Sequence, residues 1–174
     1  MFCKKFEENE NLLKRSIDTS ICTVLIGLVN IIDNTVLYDK VIDSIIATEF
    51  YKITEYDNGK LSSLSYSFEH EGFIPLNLIF SAKKGRISEM ISNEVGVKSE
   101  TAGAILNFAT MLILSHFKNE KDKGNTTQDN LNLEKKAILN AVPEGIRVIL
   151  GYSNFECDSF NDTETLAKTN LKPH

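Results

Sequence analysis

The chain has 174 residues, 42% of them hydrophobic and 25% charged, which is enough for one domain with a sizeable core and excludes disorder along most of its length. A formal net charge of −5 repels polyanions, so a nucleic-acid partner would require a local basic patch. The three cysteines, Cys3, Cys22 and Cys157, are far apart and odd in number, which fits a reducing compartment and not a disulfide framework.

The first residues, MFCKKFEENENLLKRS, have two lysines but no apolar run before the acids, so they do not read as a signal peptide. Leu13, Ile17, Ile21, Val24, Leu28 and Ile31 recur at spacings of three and four and predict a long helix over residues 9–32. Its most apolar part, ICTVLIGLVNII, falls short of the about 20 residues that cross a bilayer and reads as a buried helix. With neither a leader nor a span, the expected location is the cytoplasm. Asp33-Asn34-Thr35 stops this helix. Val36, Leu37, Val41, Ile42, Ile45, Ile46 and Phe50 then mark a second one, antiparallel to the first because the link is short.

Residues 56–73 combine the turn signal Asp57-Asn58-Gly59 with KLSSLSYSFEHE, which alternates as a strand would but is read here as loop and short helix. Pro75 sets the first turn of a helix through Leu76, Leu78, Ile79 and Phe80, with Gly85 as its breaker. Ile87, Ile91 and Val95 predict the next helix, stopped by Gly96, and Ser99 is the expected N-cap of another running to about Lys118. The polar stretch 119–130 reads as a solvent-exposed loop. Helices over 131–141 and 144–150 follow, separated by Pro143 and closed by Gly151. From Tyr152 the chain is polar and aperiodic, so residues 152–174 are expected to form a flexible C-terminal tail, with one helical turn near 162–167. The tetrapeptide AILN occurs at 104–107 and at 137–140, which leaves an internal duplication open.

Chemistry is sparse. The segment GVKSETAGAILN, residues 96–107, has the outline of a DNA-reading helix-turn-helix. Its second helix nevertheless starts with Glu100, has no Lys or Arg before Lys118 and is apolar over most of its circumference, which argues against phosphate contact. The cationic runs at 83–86 and 118–123 read as solvated faces, although SAKKGRIS precedes a helix and resembles a weak phosphate cradle. Glu69-His70-Glu71 are consecutive and cannot converge on one ion as an i, i+4 pair can, and His116 reads as a core or edge histidine. No Gly-x-Ser-x-Gly elbow, phosphate-binding Gly-Lys loop or dinucleotide Gly-x-Gly-x-x-Gly turn is present. No catalytic, cofactor-binding or metal-binding residue is therefore nominated, and no cofactor is implied.

Three segments resemble the YidB-like family of small bacterial helical proteins of unknown function: LLKRSIDTSICTVLIGLVNIIDNT with Gly27, ISEMISNEVGVKSETAGAILNFATMLIL with Gly96, and ILNAVPEGIRVILG with Pro143, Gly145 and Leu150-Gly151. The resemblance covers residues 9–151 and implies an all-helical fold with no catalytic residues to carry over. In departure from that family's pattern, no proline stands near Cys22.

The combined expectation is an all-α, compact multi-helical array of seven or eight helices built from helical hairpins over residues 1–151. Its expected core is Ile17, Ile21, Leu25, Leu28, Val41, Ile45, Ile91, Ile105, Ala109, Leu112, Ile113, Ile138, Ile146 and Leu150. The expected function is a non-enzymatic interaction or scaffolding module with a protein partner, the alternative being a helix-turn-helix nucleic-acid binder.

Overall fold

In the computed structural model, which describes residues 8–45 and 72–156, Asn9 opens the first helix by accepting the Asn11 backbone N–H at 2.8 Å. Helix α1 spans Glu10–Ile31 and α2 spans Thr35–Asp43, with Asn34 capping α2 through the Leu37 N–H at 3.1 Å. Helix α3, Phe73–Phe80, leads through a 3-10 turn at Ser81–Lys83 into α4, Lys84–Val95. Helices α5, Ser99–Asp122, α6, Gln128–Ala141, and α7, Glu144–Leu150, complete an all-α fold with no strand among the described residues. The remainder of the second predicted helix, the 56–71 segment and residues 157–174 with their expected helical turn lie outside the described residues.

Several local expectations shift. Gly85 does not break α3; it lies inside α4, and the break is made by Ser81, whose φ of 51° places it outside the helical region. Ser99 is the first helical residue and Lys98 holds the cap position, one residue earlier. The polar loop shrinks to residues 123–127, because α5 continues to Asp122 and α6 begins at Gln128. Charged side chains at 118–122 remain compatible with a helix when they face solvent or pair across to a neighbour. Gly96 (φ 86°) and Gly151 (φ 95°) end α4 and α7 in the left-handed conformation as expected. Pro143 follows an extended Val142, the backbone a residue before proline prefers, and Arg147 Nη1 closes the end of α6 by donating to the Leu139 and Val142 carbonyls at 3.1 and 2.8 Å. Packing continues past Gly151, since Tyr152 and Phe155 lie against the core.

Helix α1 touches each of the other six α-helices, and its most extensive contact is with α5. Glu8 and Arg15 meet the α4–α5 turn while Leu25 shares a cleft with Phe117, so α1 and α5 run side by side in the same direction. Helix α2 runs opposite to α5: Asp39 pairs with Lys121, Asp43 with Lys118, and the Tyr38 hydroxyl meets Thr127. That makes α2 antiparallel to α1, as the short link predicts.

The core differs from expectation on α1. Its buried residues are Leu13, Ser16, Ser20, Thr23, Val24, Ile26, Gly27, Leu28 and Val29, whereas Ile17, Ile21 and Leu25 are only half-buried. Small side chains on that face let neighbouring helices approach closely. At Gly27 a Cβ would stand 2.5 Å from Phe80 Cε1 and 2.6 Å from Ile79 Cγ2. Leu112, also expected in the core, is 37% exposed, while Ala102, Ile105 and Ala109 are fully buried.

Gly27→Ala is expected to destabilise the fold by about 1–3 kcal/mol through overpacking against a ring and a branched side chain. Gly145→Ala should cost less, since its Cβ meets the yielding end of Met90, with Sδ at 2.6 Å. Urea midpoints should rank the two variants in that order, and equal midpoints would contradict the packing. Ala109→Arg should abolish the helical circular-dichroism signal by burying an unpaired charge, whereas Leu112→Arg should fold.

Candidate functional site

The turn from Gly96 to Thr101 tests the helix-turn-helix outline. The Glu8 carboxylate sits on the first turn of α5, where Oε1 accepts the Lys98 backbone N–H at 2.8 Å and the Thr101 hydroxyl at 3.2 Å. An acid from upstream of α1 thus occupies the N-terminal end at which a DNA phosphate would be bound. Thr101 and Ala102 are buried, and in this first turn Ser99 and Glu100 are exposed. Ser92 Oγ donates to the Val97 carbonyl at 2.7 Å and keeps the turn tight.

A concavity lies at the other end of α5. A cleft of about 700 Å³ opens between the last turns of α5, the 123–127 loop and α6. Its apolar side is Leu25, Phe117, Leu131 and Ile138; its polar side is His116, Glu120, Asn125, Thr126, Thr127, Asn130 and Glu134. His116 and Glu120 are four residues apart and so share one face of α5, while Glu134 and Ile138 do the same on α6. His116, expected at the core or its edge, is exposed on the cleft rim.

The loop is fixed from both sides. Asn125 Nδ2 donates to Glu120 Oε2 at 2.7 Å and Lys123 Nζ to Oε1 at 3.0 Å; these two bonds, the Asn125 bond foremost, lower the Glu120 carboxyl from its ordinary value. Thr127, at the cap position of α6, joins its hydroxyl to Tyr38 Oη at 2.7 Å instead of capping the helix. Burial pushes the Tyr38 phenol up, partly countered by that hydrogen bond. Below the loop, Lys118 reaches Asp43 at 2.8 Å and Asp122 at 3.3 Å, and Lys121 reaches Asp39 at 2.8 Å and Asp43 at 3.0 Å. The run 118–123, read from sequence as a solvated face, is therefore a bridge to α2. Nothing in sequence spacing pairs residues some eighty positions apart.

A second groove, of about 540 Å³, lies on the other side of α6, between Asn132, Leu133, Lys135, Lys136 and Leu139 and the segment carrying Gly151, Tyr152, Asn154 and Phe155. Helix α6 thus presents Leu131, Glu134 and Ile138 to one depression and Leu133, Lys136 and Leu139 to another.

The other singled-out residues stand apart from these depressions. In SAKKGRIS, Lys84 Nζ lies 3.4 Å from the centroid of the Phe73 ring, and burial pushes its pKa down. Cys22 is half-buried, and its thiol is raised by burial and secondarily by Asp18. Glu69-His70-Glu71 lie outside the described residues. Among the described residues no group of three or more His, Cys, Asp or Glu side chains could hold a metal ion, and no helix is long and apolar enough to cross a membrane. The cleft offers an apolar floor and a hydrogen-bonding rim, an arrangement suited to holding a ligand. No family model matches this chain, and no curated protein or solved structure does either.

The hydrogen bonds from Lys118 and Lys121 hold the Asp43 carboxyl below its usual value. A carboxyl lowered on folding contributes stability that is complete above its unfolded pKa, about 4, and is lost as pH falls through the folded value. Asp43→Asn is thus expected to cost at most about 1 kcal/mol at pH 7, as suits exposed ion pairs, and progressively less at acid pH. Urea titrations at both pH values check this, and a pH-independent penalty would refute it.

Proposed function

We propose that this protein is a non-enzymatic interaction or scaffolding module that acts in the cytoplasm and holds a partner protein at the cleft between α5 and α6. The observation that carries this reading is the cleft itself: an apolar floor next to a rim of carboxylates, amides and hydroxyls, held open by the Glu120–Asn125 and Tyr38–Thr127 bonds. Preformed depressions of this size bind with little ordering cost. Glu8 on the first turn of α5 and the net charge of −5 both weigh against the nucleic-acid alternative.

A distant relationship to the YidB-like family is part of this proposal. Its support is that the residues carrying the resemblance all serve turns or close packing: Gly27 against Phe80, Gly145 against Met90, and Gly96 and Gly151 in left-handed caps.

The test is chemical cross-linking of the full chain in a cell extract with mass-spectrometric mapping, run beside the Glu134→Lys variant. The expected result is a partner linked near residues 116–138 and lost from the variant. Partners that ignore the variant, or salt-sensitive retardation of duplex DNA by the protein in a gel, would overturn the reading.

A further inference from the structure

Met90 sits at a seam of the bundle where a thioether meets bare backbone. On α4 it stands between Ile87 and Ile91, both fully buried, yet it is itself half-buried and packs on the edge of the core. Opposite lies Gly145, in the first turn of α7, where a Cβ would stand 2.6 Å from Met90 Sδ, 3.1 Å from Cε and 3.2 Å from Cγ. The end of the methionine side chain therefore fills a notch that exists because residue 145 has no side chain. Met111, on α5, is by contrast 3% exposed, so the two methionines differ in how readily solvent reaches them.

The seam holds a short element in place. Helix α7 has seven residues, too few to be stable as an isolated helix, so its position depends on the helices it packs against, chiefly α4 and then α1. From α7, Arg147 donates to the Leu139 and Val142 carbonyls at the end of α6, and its own carbonyl accepts the Tyr152 N–H at 2.8 Å. Tyr152 Oη in turn donates to Asn30 Oδ1 on α1. A change where Met90 meets Gly145 is thus passed to the end of α6 and to the wall of the second groove.

We infer that Met90 is a redox-sensitive latch, and that oxidation of its thioether by a peroxide releases α7 from α4. With hydrogen peroxide as the oxidant, a lone pair on Sδ attacks one peroxide oxygen, and the S–O bond forms as the O–O bond breaks. The proton of the transferred hydroxyl passes to the departing hydroxide, which leaves as water; the thioether loses the electron pair that the peroxide gains. The sulfoxide is larger and polar, and its flexible side chain, already at the edge of the core, turns it to water and vacates the Gly145 notch. The α4–α7 contact then loses the atoms that filled it. The latch is independent of the cleft reading.

The test is treatment of the full chain with hydrogen peroxide and then dithiothreitol, which reverses disulfides and sulfenic acids but leaves methionine sulfoxide, followed by peptide mass mapping and amide hydrogen exchange. Met90 should take up an oxygen ahead of Met111. Exchange across residues 144–150 should then quicken at least about tenfold while the middle of α5 is unchanged, and a methionine sulfoxide reductase should reverse both effects. Met90→Leu, close to methionine in volume, should fold and show no peroxide response in α7. Met90→Gln should quicken the same exchange without peroxide, and serves if Met90→Leu misfolds. Oxidation of Met111 before Met90, a sulfoxide at Met90 with unchanged exchange in α7, or an equal peroxide response in Met90→Leu would overturn the inference. So would exchange that quickens equally in α5, since oxidation would then loosen the whole bundle instead of one seam.

Discussion

The fold depends on how closely helices can approach α1. This helix touches every other described α-helix, and the residues it buries include the small side chains Ser16, Ser20, Thr23 and Gly27 beside Leu13, Val24, Ile26, Leu28 and Val29. A bulkier stripe would hold the neighbours farther away, because interhelical distance follows the side chains at the contact. Helix α5 has a matching character, with Thr101, Ala102, Ala109, Thr110 and Ser115 buried among its larger residues. Close approach brings polar groups into the interior. Thr23 and Thr110 satisfy their hydroxyls on the carbonyls one turn earlier, at 2.7 and 2.8 Å, while Ser16, Ser20 and Ser115 bury hydroxyls with no hydrogen-bond partner among the described residues. Leaving such groups unpaired costs stability, so the small face gains its packing at a polar expense.

Once α1 and α5 lie side by side, the rest is positioned by connections at their two ends. At the N-terminal end Glu8 seats the first turn of α5, and Arg15 reaches toward the Glu94 carbonyl at 3.4 Å. At the other end α2 crosses back along α5 through the Asp39, Asp43, Lys118 and Lys121 ion pairs, and Tyr38 holds the loop that enters α6. The ion pairs are exposed and individually weak; the buried face of α2, with Tyr38, Val41 and Ile42, carries the larger share of its attachment.

Helix α6 then packs on α1, and among the described residues a depression lies along each of its flanks. One flank meets a cleft rimmed by His116, Glu120 and Glu134, the other a groove lined by Leu133, Lys135, Lys136 and Leu139. Tyr152 and Phe155, beyond the last helix, pack against the core and form one wall of that groove.

The sequence by itself determined the helical class and most element ends. The signals at Asn9, Asn34, Gly96, Pro143 and Gly151 act on backbone within a few residues, where capping, fixed φ and left-handed glycine need no distant partner. Hydrophobic periodicity located part of the buried face of α1, Leu13, Val24 and Leu28; tertiary structure alone decided that Ser16, Ser20, Thr23 and Gly27 are buried with them while Ile17, Ile21 and Leu25 stay half-buried, because small side chains permit the closer contact. It likewise decided that Leu112 is partly exposed, that Glu8 rather than Ser99 serves the start of α5, and that lysines of α5 bridge to aspartates of α2. Both depressions are of this kind: their residues are ordinary in sequence and acquire a shared surface only when elements distant along the chain are packed side by side.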